Sequence, residues 1–150
     1  MRFADLVSLY FQQSNMLQTY WTVYVVVIGG LLAVAAIRKE PDFLAGALAT
    51  LLYCSFAYKN MSALTDLTST RYATLQSIQQ YDPSAAPADK GPIEVFKANV
   101  VPTLQGPSVE SVRTFHIYCD VITMATMWGL QLNRLRRHRR ELATVTRLSI

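Results

Sequence analysis

The chain has 150 residues, about one domain's worth of length. It is 51% hydrophobic and only 16% charged, with a formal net charge of +4, where soluble domains carry about 25% charged residues. With two His and two Cys, and no His-Glu-x-x-His, paired Cys-x-x-Cys, P-loop or Gly-x-Ser-x-Gly pattern, it lacks the common catalytic and metal-binding constellations.

Charge is unevenly spread. No Asp, Glu, Lys or Arg occurs from Leu6 to Ile37, from Phe43 to Tyr58, or from Val121 to Asn133. Residues 3–18, with Phe3, Leu6, Val7, Leu9, Tyr10, Met16 and Leu17, read as an interfacial helix leading into a first span. The stretch TYWTVYVVVIGGLLAVAAI (19–37) then meets the need of a bilayer core, about 20 apolar helical residues. A cleaved secretory signal places positive charge before its apolar stretch. Here Arg38 and Lys39 follow it and only Arg2 precedes it, so the expectation is an anchor that stays.

A second span is expected over 42–59, bordered by Asp42 and Lys59. Helical spacing of Met61, Leu64, Leu75 and Ile78 without Gly or Pro continues that helix beyond the membrane. YDPSAAPADKGP (81–92) is a loop by its Pro, Gly and Asp content. Residues 93–101 fit a short helix or a strand. Ser108 as cap with Glu110 in the first turn marks a helix start, and one helix can run from there through a third span, 114–133, into the basic tail 134–150. The third span contains His116 and Asp120, and a mid-helix Asp costs about 2.5–3.5 kcal/mol on insertion scales. Tyr20, Trp21, Tyr24, Tyr53, Phe56, Tyr58, Phe115 and Tyr118 fit an aromatic belt at the outer ends of the spans.

The five-residue link 38–42 and the tail fall on one side, with Arg38, Lys39, Arg134, Arg136, Arg137, Arg139, Arg140 and Arg147. The other side has Arg2, Lys59, Arg71, Lys90, Lys97 and Arg113 over a longer stretch. The positive-inside bias places the N-terminus outside and the C-terminus in the cytoplasm. Arg134, Arg136, Arg137, Arg139 and Arg140 are then topology determinants and contacts for anionic lipid headgroups, each basic residue contributing about 1 kcal/mol. In the tail, Leu132, Leu135, Leu142 and Val145 share a stripe with His138. The tail has neither aromatic interleaving nor a nucleic-acid motif, so no nucleic acid is expected.

His116, Cys119 and Asp120 form the expected intramembrane polar cluster, because an ionisable group within a span faces protein or water. Partners open to Asp120 are Arg113, His116 or a hydroxyl such as Ser55. Too few further ligands exist for a metal site within one chain; no cofactor is expected. Cys54 and Cys119 stand at similar depths, where an oxidising outer side would permit a disulfide, although free thiols are commoner within spans. Gly29-x-x-x-Ala33 and Ala45-x-x-x-Ala49 let helices approach closely. The expected fold is all-α: a single membrane domain over 1–150, with three transmembrane helices, an outer segment 60–113 and helical extensions beyond the bilayer, in a bacterial inner membrane. Two functions compete. One is a non-catalytic subunit packing against other membrane subunits in a larger assembly. The other is a homo-oligomeric pore or membrane-perturbing effector built from copies of itself, with span three lining the path. No enzyme is expected, since no nucleophile with a base is visible.

Overall fold

The computed structural model describes the backbone of residues 1–148 except Ala86, and the side chains through Glu141 except those of Ala85 and Ala86. The expected stripe positions Leu142 and Val145, and Arg147, lie outside the described side chains. Every described element is helical: α1 (Phe3–Ile37), α2 (Phe43–Gln80), 3-10 turns at Pro83–Ala85 and Pro87–Asp89, α3 (Lys90–Asn99), a 3-10 turn at Val101–Leu104, and α4 (Val109–Leu148).

The helix ends follow from local chemistry. The Arg2 amide donates to Asp5 Oδ2 at 3.1 Å, which satisfies an orphan donor at the start of α1. That bond holds the exposed Asp5 carboxyl below the usual carboxylate range. Its contribution is therefore full above the ordinary carboxylate pKa and is lost as pH falls through the lowered value. Asp42 Oδ1 accepts the Ala45 amide at 2.9 Å and Ser108 Oγ accepts the Ser111 amide at 3.1 Å, capping α2 and α4. Pro41 and Pro83 stand where α1 and α2 have ended, because proline cannot continue a helix. Residues 93–101, compatible with helix or strand in sequence, belong mostly to α3. Residues 3–18 are the first half of α1, with no break before the apolar stretch.

Contacts divide the chain into two units: unit 1, Met1–Trp21 with Met61–Thr114, and unit 2, Thr22–Asn60 with Phe115–Ile150. Unit 1 has the polarity of a water-soluble protein. Leu6, Tyr10, Leu75, Ile78 and Val101 form its core, with Phe3, Val7, Tyr81, Phe96 and Leu104 packed around it. Phe3 meets Tyr81 and Phe96 edge-on, at 5.2 and 5.6 Å between centroids. A second cluster joins Leu17, Leu64 and Val112, flanked by Trp21 and Leu67.

Unit 2 has the opposite polarity. Its exposed side chains include Leu44 at 74%, Leu52 at 71% and Val26 at 66%, whereas its buried ones include Asn60, His116, Thr123 and Gln131. Among the described residues α1 is the one helix both long and apolar enough to cross a membrane, with a window of mean hydropathy 2.1 of which only 11% is buried. A core helix of a soluble protein would be mostly covered. The helices that carry the other two expected spans, 42–59 and 114–133, do not reach that hydropathy, because Lys59 and Asn60 in one and His116, Asp120 and Gln131 in the other lower the mean.

Two substitutions test this division of labour in unit 1. Ile78→Ala, at a fully buried position, is expected to cost about 2–5 kcal/mol. Ser108→Ala removes the α4 cap and is expected to cost about 1 kcal/mol. Chemical unfolding of the detergent-solubilised chain followed by circular dichroism measures both. An Ile78→Ala loss no larger than that of Ser108→Ala contradicts the assigned core.

Candidate functional site

The most connected polar group of unit 2 is the Asp120 carboxylate. His116 and Asp120 lie four residues apart and so share a face of α4. On α2, Tyr53 and Asn60 are seven residues apart and likewise share a face; α1 contributes Tyr24. The Tyr24 and Tyr53 hydroxyls both donate to Asp120 Oδ1, each at 2.7 Å. His116 Nδ1 lies 2.9 Å from Asp120 Oδ2, and Asn60 Nδ2 lies 3.3 Å from His116 Nε2.

A tautomer with the proton on Nδ1, toward the carboxylate, and with Nε2 accepting from the Asn60 amide matches both contacts. The Tyr24 ring stacks on the imidazole at 4.1 Å between centroids, and its hydroxyl also reaches the His116 carbonyl at 3.2 Å. His116 and Tyr24 are almost wholly buried, at 0% and 1% exposure. The Asp120 side chain retains 24%. The arrangement is a partly exposed carboxylate that accepts from three donors, with an amide on the far side of its histidine.

Of the expected cluster, the structure brings His116 and Asp120 together. Cys119 is half-buried, Cys54 is exposed, and both thiols are free. Ser55 donates to the Leu51 carbonyl at 2.9 Å instead. The sequence reading missed the other three members. Tyr24 and Tyr53 were assigned to an aromatic belt, yet both are buried with hydroxyls turned onto the carboxylate. The available signal was the heptad spacing of Tyr53 and Asn60 on α2, together with the need of buried hydroxyls for partners. Among the described residues no three His, Cys, Asp or Glu side chains converge as metal ligands do.

The basic end is partly structural. The Arg134 guanidinium donates to the Ala35 carbonyl and lies 3.4 Å from that of Ala36, satisfying acceptors left open at the end of α1. Gln131 donates to the Asp42 carbonyl at 3.3 Å, and Arg38 pairs with Asp42 at 3.1 Å. Arg136, Arg137, Arg139 and Arg140 are exposed. Among the small residues, Gly29 and Ala33 are exposed, and a Cβ at Gly29 would meet nothing within 4 Å. Ala45 and Ala49 are half-buried. The close approach on α2 is at Gly46, where a Cβ would lie 3.4 Å from Gln131 Nε2 and 3.9 Å from the Trp128 ring. Trp128 also donates to the Thr50 hydroxyl at 3.2 Å.

Asp120→Leu removes an acceptor from the Tyr53 hydroxyl and from the imidazole N–H, whereas the Tyr24 hydroxyl still reaches the His116 carbonyl. A buried donor that loses its acceptor costs about 1–3 kcal/mol, so a loss of about that size is expected, with a smaller one for Asp120→Asn, which keeps an acceptor. Thermal unfolding in detergent reads both, and a more stable Asp120→Leu chain would refute the network's structural role. No protein-family model, curated protein or solved structure matches this chain.

Proposed function

We propose that the chain is a small, non-catalytic polytopic membrane protein, with three spans in unit 2 and a cytoplasmic C-terminus, that serves as a helix-packing subunit of a larger membrane assembly. The observation that carries this reading is the reversed polarity of unit 2. Val25, Val26, Leu44, Leu48, Leu52 and Val121 are all more than half exposed, and large apolar surface left uncovered marks a membrane or interaction site. Lipid or apolar helices of other chains are the surroundings in which such a surface is stable. The stretch 22–37 of α1 is roughly 24 Å long at helical rise, close to the hydrocarbon thickness of a thin bilayer. Unit 1, with its apolar core, suits water at the N-terminal side.

The polar interior supports a packing role over a pore. An ion path along α4 needs carboxylate oxygens open to the path, whereas both Asp120 oxygens accept hydrogen bonds from the chain itself. Gly29 and Ala33, uncovered on α1, offer a face on which a foreign helix could approach closely. At the basic end, Arg38, Lys39, Arg134 and Arg137 line an open basin of about 880 Å³ that also has Glu40 and Glu141 on its wall. This is a suitable place for anionic headgroups at a bacterial inner membrane.

The orientation is tested by a reporter active only outside the cytoplasm. Fused after Ile150 it stays silent, and inserted beside Pro87 it is active; the reverse pattern refutes the topology. The subunit role is tested by the mass and composition of the detergent-solubilised particle. Stoichiometric foreign membrane chains are expected, and Gly29→Leu is expected to release them while leaving the chain folded. A closed ring of this chain alone favours the pore instead.

A further inference from the structure

Unit 1 holds a cavity of about 460 Å³ whose wall has one charged residue, Arg71, and no acidic one. That volume is in the usual range for small-molecule sites. Arg71 is half-buried, and its guanidinium sits over the Tyr10 ring, 5.8 Å from the centroid. Tyr10 is fixed in turn by its hydroxyl bond to the Leu104 carbonyl. Gly106 leaves the room: a Cβ there would collide with the guanidinium, with its central carbon only 2.8 Å away. The guanidinium therefore rests on a ring face, in room that Gly106 leaves, and the ring face does not accept its in-plane N–H donors.

No carboxylate, hydroxyl or carbonyl of the described residues pairs with those donors. A guanidinium presents five donors in a flat fork suited to a carboxylate or phosphate, so this one lacks the partner its chemistry favours. The surrounding wall is consistent with an oxyanion. Gln76, Gln79 and Gln105 bring amide donors, and Val109 begins the 40-residue helix α4, whose N-terminal end favours negative charge. Leu75, Leu104 and Tyr72 complete an apolar side.

We infer that unit 1 carries a binding site for a small organic anion, whose carboxylate or phosphate group pairs with Arg71 while its apolar body lies against Leu75, Leu104 and Tyr72. The site is independent of the membrane reading, since every residue in it belongs to unit 1. The test is calorimetric titration of the full chain in detergent with phenylacetate, phenyl phosphate and inorganic phosphate, using chloride at equal ionic strength as the baseline. The phenyl-bearing acids are expected to bind more tightly than inorganic phosphate, and chloride not to bind. Arg71→Gln is expected to weaken binding by about ten-fold or more, the value of a charge-assisted fork. Gln76→Glu, at an exposed position that keeps the fold, is expected to weaken it through repulsion. Equal responses to all four anions overturn the proposal, as does unchanged affinity in Arg71→Gln. Should Arg71→Gln fail to fold, Gln76→Glu decides alone, and an unchanged affinity there overturns it. Binding of inorganic phosphate as tight as that of the phenyl acids overturns the apolar half of the site.

Discussion

Unit 2 depends on one carboxylate. α1, α2 and α4 each send a donor or its support to Asp120, through Tyr24, Tyr53 and His116. A carboxylate moved out of water loses several kcal/mol of solvation. Hydrogen bonds to a charged group return about 1.5–3 kcal/mol each, so one or two would not offset the loss, whereas three are of the right size. The requirement for three donors explains why three helices converge at this level. Asn60, buried beside the far ring nitrogen, adds to the Tyr24 stack in holding the imidazole toward Asp120.

The polar interior has a corollary on the outside. Once Tyr53, Asn60, His116, Asp120, Thr123 and Gln131 take the covered positions of α2 and α4, the remaining positions can be Leu, Val, Ile and Phe. The two units thus follow one helical periodicity with opposite polarity. Along α2 the covered positions run Gly46, Tyr53, Ala57 and Asn60 in unit 2, then Leu64, Thr68, Leu75 and Ile78 in unit 1. The spacing by threes, fours and sevens persists while the composition of the uncovered face changes from apolar to polar.

Much of the secondary structure was legible in the sequence because its signals are local. Ser108 and Glu110 announced the start of α4, Pro83 and Pro87 announced the break after α2, and the absence of Gly and Pro over 59–80 announced its length. The loop expected over 81–92 ends earlier, because Lys90, Gly91 and Pro92 form the first turn of α3, where proline is tolerated. The site was legible only in part. His116 and Asp120 are neighbours on one helix, so spacing alone joined them. Tyr24 and Tyr53 are 96 and 67 residues from Asp120, and their pairing depends on how helices face one another, which no local pattern encodes. Aromatic residues near span ends satisfy the belt rule whether they face lipid or protein, and here that rule hid two ligands of the carboxylate. The three-span expectation is met in hydropathy by α1 alone among the described residues, since averaging over all faces of α2 and α4 mixes their apolar and polar positions. In sequence Arg71 is one basic residue among six on its side of the chain; an arginine's lack of an acidic neighbour is visible only in three dimensions.

The closed network of Asp120 bears on biogenesis. On the membrane reading, α1 is, among the described residues, the helix apolar enough to enter lipid unaided, and it precedes α2 and α4 in the chain. α4 reaches the bilayer with an unshielded carboxylate, whose shield consists of hydroxyls on helices made earlier. Insertion in chain order therefore presents Asp120 with Tyr24 and Tyr53 already in place, and a chain permuted to begin with α4 would have to place that carboxylate in lipid alone. On that reading, the order of the helices along the chain is part of what makes α4 insertable.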